Sequence, residues 1–171
     1  MTLHRLTLIL GGVRSGKSRE AERLVLASGL EPVYLATAEA LDDEMAARIA
    51  AHRLRRDPTW RTVEEPLDLA GALEREAAAG RACLVDCLTL WLTNLMVRER
   101  PIESALDRLI EVLPDLPGSL VLVSNEVGQG VVPTAAMARA FVDHAGRLHQ
   151  RIAEQADAVV FMTAGLARRL K

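Results

Sequence analysis

Cysteine is scarce in this sequence: Cys83 and Cys87 are the only two. Both fall in the run CLVDC, which reads as a strand, and four steps of about 3.3 Å place them about 13 Å apart, out of disulfide reach. They are expected as reduced core residues, and a CxxxC spacing with no histidine pair nearby makes a poor zinc frame. Net charge is nearly absent too. A formal balance of -2 sets up no global field to draw in DNA, RNA or an anionic membrane, so no nucleic-acid partner is expected and any polyanion must be gripped locally. Long apolar runs are missing: LTLIL is too short to cross a bilayer, and the glycine-rich, charged GGVRSGKSRE stands where a cleavage signal would follow. The expectation is a cytoplasmic protein without a membrane span. Low-complexity tracts, internal repeats and long linkers are absent as well.

What remains is an ordinary globular composition. The chain has 171 residues, 50% hydrophobic and 26% charged, which suits one folded unit spanning residues 1–171 with a single core. Short apolar runs alternate with longer segments of helical period. LTLIL, VYLA, WRTVE, CLVDC, LVLVS and AVVFM read as about six strands. Helices are predicted from Ser18 to Ala27, Asp43 to Arg55, Leu67 to Ala79, Leu88 to Arg98, Glu103 to Leu113 and Ala135 to Ala156. Repeated β-α order predicts an α/β fold with a largely parallel sheet between helical layers, and ligands then gather at the strands' carboxyl ends.

Gly11-Gly12-Val13-Arg14-Ser15-Gly16-Lys17-Ser18 fits G-x-x-x-x-G-K-S between an apolar strand and a helical segment. Glycines there let the backbone wrap an anion, successive N–H groups point inward, and the helix N-terminus adds partial positive charge. The fold class predicted is therefore a three-layer domain like that of P-loop NTPases. Lys17 is expected on the β- and γ-phosphates, and Ser18 offers a hydroxyl to Mg2+. A glycine-rich turn with a solvated lysine is the bland alternative, and the strand-helix setting argues against it. Asp86 ends the run ACLV and should lie beside this cradle, either orienting magnesium or capping the helix from Leu88. With the cradle present, magnesium is the preferred role.

Two other segments bear on chemistry. Arg48, His52, Arg55 and Arg56 recur at three- to four-residue spacing, so a histidine shares one helical face with guanidinium groups. That face suits phosphates or is simply a solvated basic face near a helix end. Asn125-Glu126-Val127-Gly128-Gln129-Gly130 follows the strand LVLVS and reads either as a ligand-contacting loop or as a glycine turn capped by Asn125. His144 and His149, in the long helical segment, read as packing or surface residues rather than ligands.

Taken together, GGVRSGKS, YLATA, LDDEMAARI with His52 downstream, WRTVEEP, LVDCLTLWLTNL and SNEVGQGVVP resemble the adenosylcobinamide kinase/adenosylcobinamide-phosphate guanylyltransferase family of cobalamin biosynthesis, almost end to end. The resemblance implies a bifunctional enzyme. It would phosphorylate adenosylcobinamide with ATP or GTP, then transfer GMP from GTP to the adenosylcobinamide phosphate, giving adenosylcobinamide-GDP and pyrophosphate. It implies that His52 is guanylylated, that Thr37, Ala38, Arg53, Arg55, Arg56, Glu64 and Asp86 stand at nucleotide-contact positions, and that the protein is a homo-oligomer, a trimer.

Nearby arginines disfavour protonation of His52, which helps a neutral imidazole attack phosphorus. For the kinase step, Glu64, Asp86 and Glu126 all stand as candidates to take the acceptor's proton. A P-loop kinase for another small metabolite and a nucleotide-dependent switch are the competing readings; the first would transfer the γ-phosphoryl group with no nucleotidylated intermediate, the second would change partner affinity with nucleotide state.

Overall fold

A computed structural model describes residues 2–39, 43, 47 and 58–171. Seven strands form one sheet in the order β3-β2-β4-β5-β1-β6-β7. They are β1 (Leu6–Gly11), β2 (Glu31–Ala36), β3 (Arg61–Glu64), β4 (Arg81–Asp86), β5 (Ser119–Asn125), β6 (Ala158–Thr163) and β7 (Leu166–Arg169). The first six run parallel, and β7 returns antiparallel along β6. The sequence pattern predicts about six strands and misses β7, because LARR is exposed at every position and offers no apolar alternation. Its arginines suit an edge strand, where charge discourages pairing with another chain.

The helices that lie wholly among the described residues are α1 (Lys17–Leu26), α2 (Leu69–Glu76), α3 (Leu88–Val97), α4 (Ile102–Val112) and α5 (Ala136–Gln155). All five fall where a helical period is read, with ends shifted by a residue or a few. The predicted helix from Asp43 to Arg55 lies outside the described residues except at Asp43 and Ala47, both helical.

Alternation along the central strands builds two cores. Leu6, Leu8 and Leu10 of β1 point with Leu120 and Leu122 of β5 to the face covered by α2 to α5. Ile9, with Val121, Val123 and Val160, points to the other face, where Ala21, Leu24 and Val25 of α1 pack. A strand buried on both faces must be apolar throughout, and β1 is buried at all six positions. Trp91 of α3 is buried and its indole N–H donates to the Leu67 carbonyl at 2.8 Å, so the largest core side chain also ties down the lead-in to α2. Cys83 and Cys87 are both buried free thiols. Cys87 stands just beyond β4, at the N-cap position of α3 rather than inside the strand.

Candidate active site

Central placement of β1 sets its loop at the carboxyl edge of the sheet, between the ends of β5 and β6. Gly11 has φ +150°, and a Cβ there would collide with the Met162 carbonyl and lie 2.8 Å from Ser15 Oγ, so the chain can turn at this point only without a side chain. Gly16 has φ +98°, a left-handed conformation that opens α1 without a side-chain cap. Around this loop, Ser15 N–H donates to Gly12 O at 3.2 Å and Gly165 N–H, from the β6–β7 turn, donates to Ser15 O at 2.9 Å. Gly12, Val13 and Arg14 are exposed along the rim, and Ser18 is half-buried at the start of α1.

Lys17 folds back over the loop. Its ammonium donates to Gly12 O at 2.6 Å, and the residue is only 7% exposed. Burial pulls its pKa below the ordinary lysine value, with Cys87 and Asp86 acting in the opposite direction. Burial pushes the Cys87 thiol up to about 11, so it is neutral near pH 7. Ser15 Oγ is buried and has no hydrogen-bond partner among the described residues. A buried hydroxyl left unsatisfied inside a loop of inward N–H groups is a donor that a phosphate oxygen would complete. The residues therefore fit a triphosphate.

Asp86 ends β4, two strands from β1. Tyr34 of β2 donates its hydroxyl to Asp86 Oδ2 at 2.8 Å, while its ring meets Trp60 edge-on at 5.7 Å between centroids. Capping, the competing role for Asp86, is not what the structure has: the N-cap position of α3 belongs to Cys87. A half-buried carboxylate at the end of β4 and a half-buried hydroxyl, Ser18, at the start of α1 are hard-oxygen donors of the kind suited to magnesium alongside phosphate oxygens.

Thr37 is wholly buried just past β2. Its hydroxyl donates to Cys87 O at 2.8 Å and accepts from Cys87 N–H at 2.8 Å. Its own N–H donates to Asp86 O at 3.3 Å, and Asn94 Nδ2 donates to its carbonyl at 2.7 Å. Every polar group of Thr37 is thus engaged in clamping β2 to the end of β4. Ala38 follows, half-buried, and Glu64 lies exposed at the end of edge strand β3. His52, Arg53, Arg55 and Arg56, together with Arg48, lie outside the described residues.

Some contacts at this edge are invisible to pattern reading. Glu126 N–H donates to Gly11 O at 3.0 Å, tying the loop after β5 to the cradle. The glycine turn there is capped by Glu126, whose Oε1 accepts from Gly128 N–H at 2.6 Å. Asn125, the cap expected from sequence, instead donates Nδ2 to Thr89 Oγ1 at 2.8 Å, and Thr89 Oγ1 lies 3.1 Å from Cys87 Sγ. His149 of α5 is buried, with Nε2 at 2.7 Å from Ser124 Oγ and Nδ1 at 3.9 Å from Glu126 Oε2. Packing is the role expected for His149, and burial bears that out, but the sequence gives no sign of its hydrogen-bond partner Ser124, 25 residues away.

An inner parallel strand that feeds a glycine loop and helix, with an acid at the end of a strand two places along, defines a P-loop nucleotide-binding fold. Residues 7–170 match the family described as cobinamide kinase / cobinamide phosphate guanyltransferase, and the chain belongs to that family. It is 57% identical over 166 residues to the bifunctional adenosylcobalamin biosynthesis protein CobP of Pseudomonas aeruginosa, covering 96% of each chain. It is 39% identical to the bifunctional adenosylcobalamin biosynthesis protein CobU of Salmonella typhimurium, covering 97% of this chain and 99% of that one. Among solved structures, the RadB recombinase superposes with a TM-score of 0.51 at 16% identity, over 91% of this chain and 73% of the other, a likeness of fold alone. No helix among the described residues is long and apolar enough to cross a membrane.

Proposed function

We propose that this chain is a single cytoplasmic catalytic unit that phosphorylates the aminopropanol hydroxyl of adenosylcobinamide with ATP or GTP and then guanylylates the product through His52. The observation that carries the reading is the cradle, in which a buried Lys17 ammonium rests on Gly12 O and a buried Ser15 hydroxyl has no partner, in a chain matching one family over residues 7–170. Residues 11–18 hold the triphosphate. Ser18 and Asp86 are the residues that would hold magnesium, which when bound neutralises charge on the phosphate oxygens.

In the kinase half, the acceptor oxygen forms a bond to the γ-phosphorus as the bond to the β–γ bridging oxygen breaks and the nucleoside diphosphate leaves. Lys17 stabilises the charge gathering on the departing phosphates, so positioning and electrostatics carry most of the rate. In the second half, neutral His52 attacks the α-phosphorus of GTP and pyrophosphate departs. The substrate phosphate then attacks the histidine-bound GMP, releasing adenosylcobinamide-GDP and free imidazole. Arg53, Arg55 and Arg56 supply guanidinium donors for the phosphates, and Ala38 and Glu64 contact the nucleotide. Thr37, with its polar groups engaged, serves the site by fixing the backbone into Ala38. Exposed Val131, Val132 and Met137, at 96%, 72% and 67%, support self-association as a homotrimer.

The test uses GTP labelled at the α-phosphate. Acid-labile, base-stable label on the protein is the expected result, with His52→Ala abolishing it while corrinoid phosphorylation stays measurable. An unlabelled wild-type protein would remove the guanylyltransferase half of the proposal.

A further inference from the structure

Of the three carboxylates that sequence leaves open for the kinase step, the sheet order separates them by distance. Neighbouring strands lie about 4.8 Å apart. Glu64 ends β3, four strand positions from β1, about 19 Å from the cradle strand. Asp86 ends β4, two positions away, and already receives the Tyr34 hydroxyl. Glu126 follows β5, the strand beside β1, and its backbone N–H is bonded to Gly11 O at 3.0 Å. It therefore flanks the cradle directly.

The Glu126 carboxylate accepts one backbone hydrogen bond and has an imidazole beside it, outside direct hydrogen-bond distance. Oε1 accepts from Gly128 N–H at 2.6 Å, and Oε2 lies 3.9 Å from His149 Nδ1. His149 in turn has Nε2 at 2.7 Å from Ser124 Oγ, and Ser124 is 0% exposed. When the Ser124 hydroxyl donates to Nε2, the ring proton sits on Nδ1 and faces the carboxylate. Ser124 is too buried to meet a substrate, whereas the Glu126 side chain is 22% exposed at the loop beside the cradle. The three residues are ordered from the interior outward: hydroxyl, imidazole, then a carboxylate that reaches solvent.

We propose that Glu126 takes the proton from the acceptor hydroxyl as that oxygen bonds to the γ-phosphorus, and that His149, seated on Ser124, is the positioning residue that keeps the carboxylate aimed. The assignment rests on the kinase reading above and deepens it. In the step, the acceptor O–H bond breaks toward Glu126, the new O–P bond forms, the bond to the β–γ bridging oxygen breaks, and the nucleoside diphosphate leaves with that electron pair. The guanylyl half-reaction, in which an imidazole attacks phosphorus, has no acceptor hydroxyl and no call on Glu126.

The experiment measures, on the full-length enzyme, adenosylcobinamide phosphorylation and α-labelling by GTP side by side. Glu126→Gln is expected to lower the ratio of kinase rate to labelling rate by at least about 100-fold, the size of effect for loss of a positioned base. His149→Ala is expected to lower kinase kcat about 10-fold with little change in KM, and His149→Asn, which restores a donor near the Nδ1 position, to recover part of that loss. Ser124→Ala supplies the same readout should the alanine variant at 149 fail to fold. Equal loss of both activities in Glu126→Gln overturns the assignment alone. A wild-type enzyme that phosphorylates no corrinoid overturns the functional reading and this assignment with it.

Discussion

Replacing Thr37 by valine keeps the shape of a wholly buried side chain and deletes one hydroxyl that both gives and receives a hydrogen bond. The two halves of the loss are unequal. The Cys87 carbonyl keeps a second donor, the Trp91 N–H at 3.1 Å, so losing Thr37 there costs about 0.5–1.5 kcal/mol. The Cys87 N–H has its partner in Thr37 Oγ1, and leaving a buried donor unsatisfied costs about 1–3 kcal/mol. The sum is roughly 1.5–4.5 kcal/mol, or a Tm fall of roughly 3–18 °C for a chain of this size. Thr37→Ser retains the hydroxyl, loses one methyl, and should cost only about 1 kcal/mol. Urea unfolding gives the stabilities, and titration with a fluorescent GTP analogue gives nucleotide affinity. A valine variant as stable as wild type, or a serine variant less stable than the valine one, would refute the clamp. Normal stability combined with a selective loss of affinity would instead make the Thr37 hydroxyl a direct nucleotide contact.

Three further outcomes follow from the same geometry. Gly11→Ala should destabilise by at least about 3 kcal/mol, since its Cβ meets the Met162 carbonyl at a positive φ, whereas Gly12→Ala, with nothing within 4 Å of its Cβ, should stay within about 1 kcal/mol in the same unfolding assay. Burial pushes Cys83 up to about 12 and Cys87 up to about 11, so a thiol reagent at neutral pH should leave both untouched in the native protein and titrate two thiols in urea; rapid native reaction would contradict their burial. Burial lowers the His149 pKa below its ordinary 6.5, with Glu126 opposing. Its proton then prefers the unfolded chain, so stability is full above about pH 6.5, declines as pH falls from there toward the folded value, and levels off below it. His149→Gln should flatten that decline below about pH 6.5, and a pH–stability curve identical to wild type would exclude the histidine as its source.

The phosphate cradle was the most legible part of the chain, because a tight loop around an anion admits few residue types and leaves a local signature. The inner strands were nearly as plain: β1, β4 and β5 are buried on both faces along their middles, where nearly every side chain is apolar. Edge strand β7 carried no such signal, being exposed at all four positions and held by pairing with β6. Side-chain partnerships across the sheet end were the least legible. Glu126 rather than Asn125 caps its turn, and Cys87 rather than Asp86 opens α3, since a one-residue offset decides which group faces a free N–H. The Ser124–His149–Glu126 chain joins elements far apart in sequence, and only the approach of α5 to the end of β5 brings them within reach.

Strand β1 comes ahead of the other strands in sequence yet sits between β5 and β6, with Leu6 beside Leu120 and Thr7 beside Ala158. The β6–β7 turn then props the loop through Gly165. On the ribosome, the nucleotide-gripping segment therefore emerges well before the strands that flank it exist. Fragments cut short ahead of β6 would leave it open on one side, so the nascent protein gains its hold on nucleotide only once β6 and the turn after it have been made, through pairings of long sequence separation that form slowly.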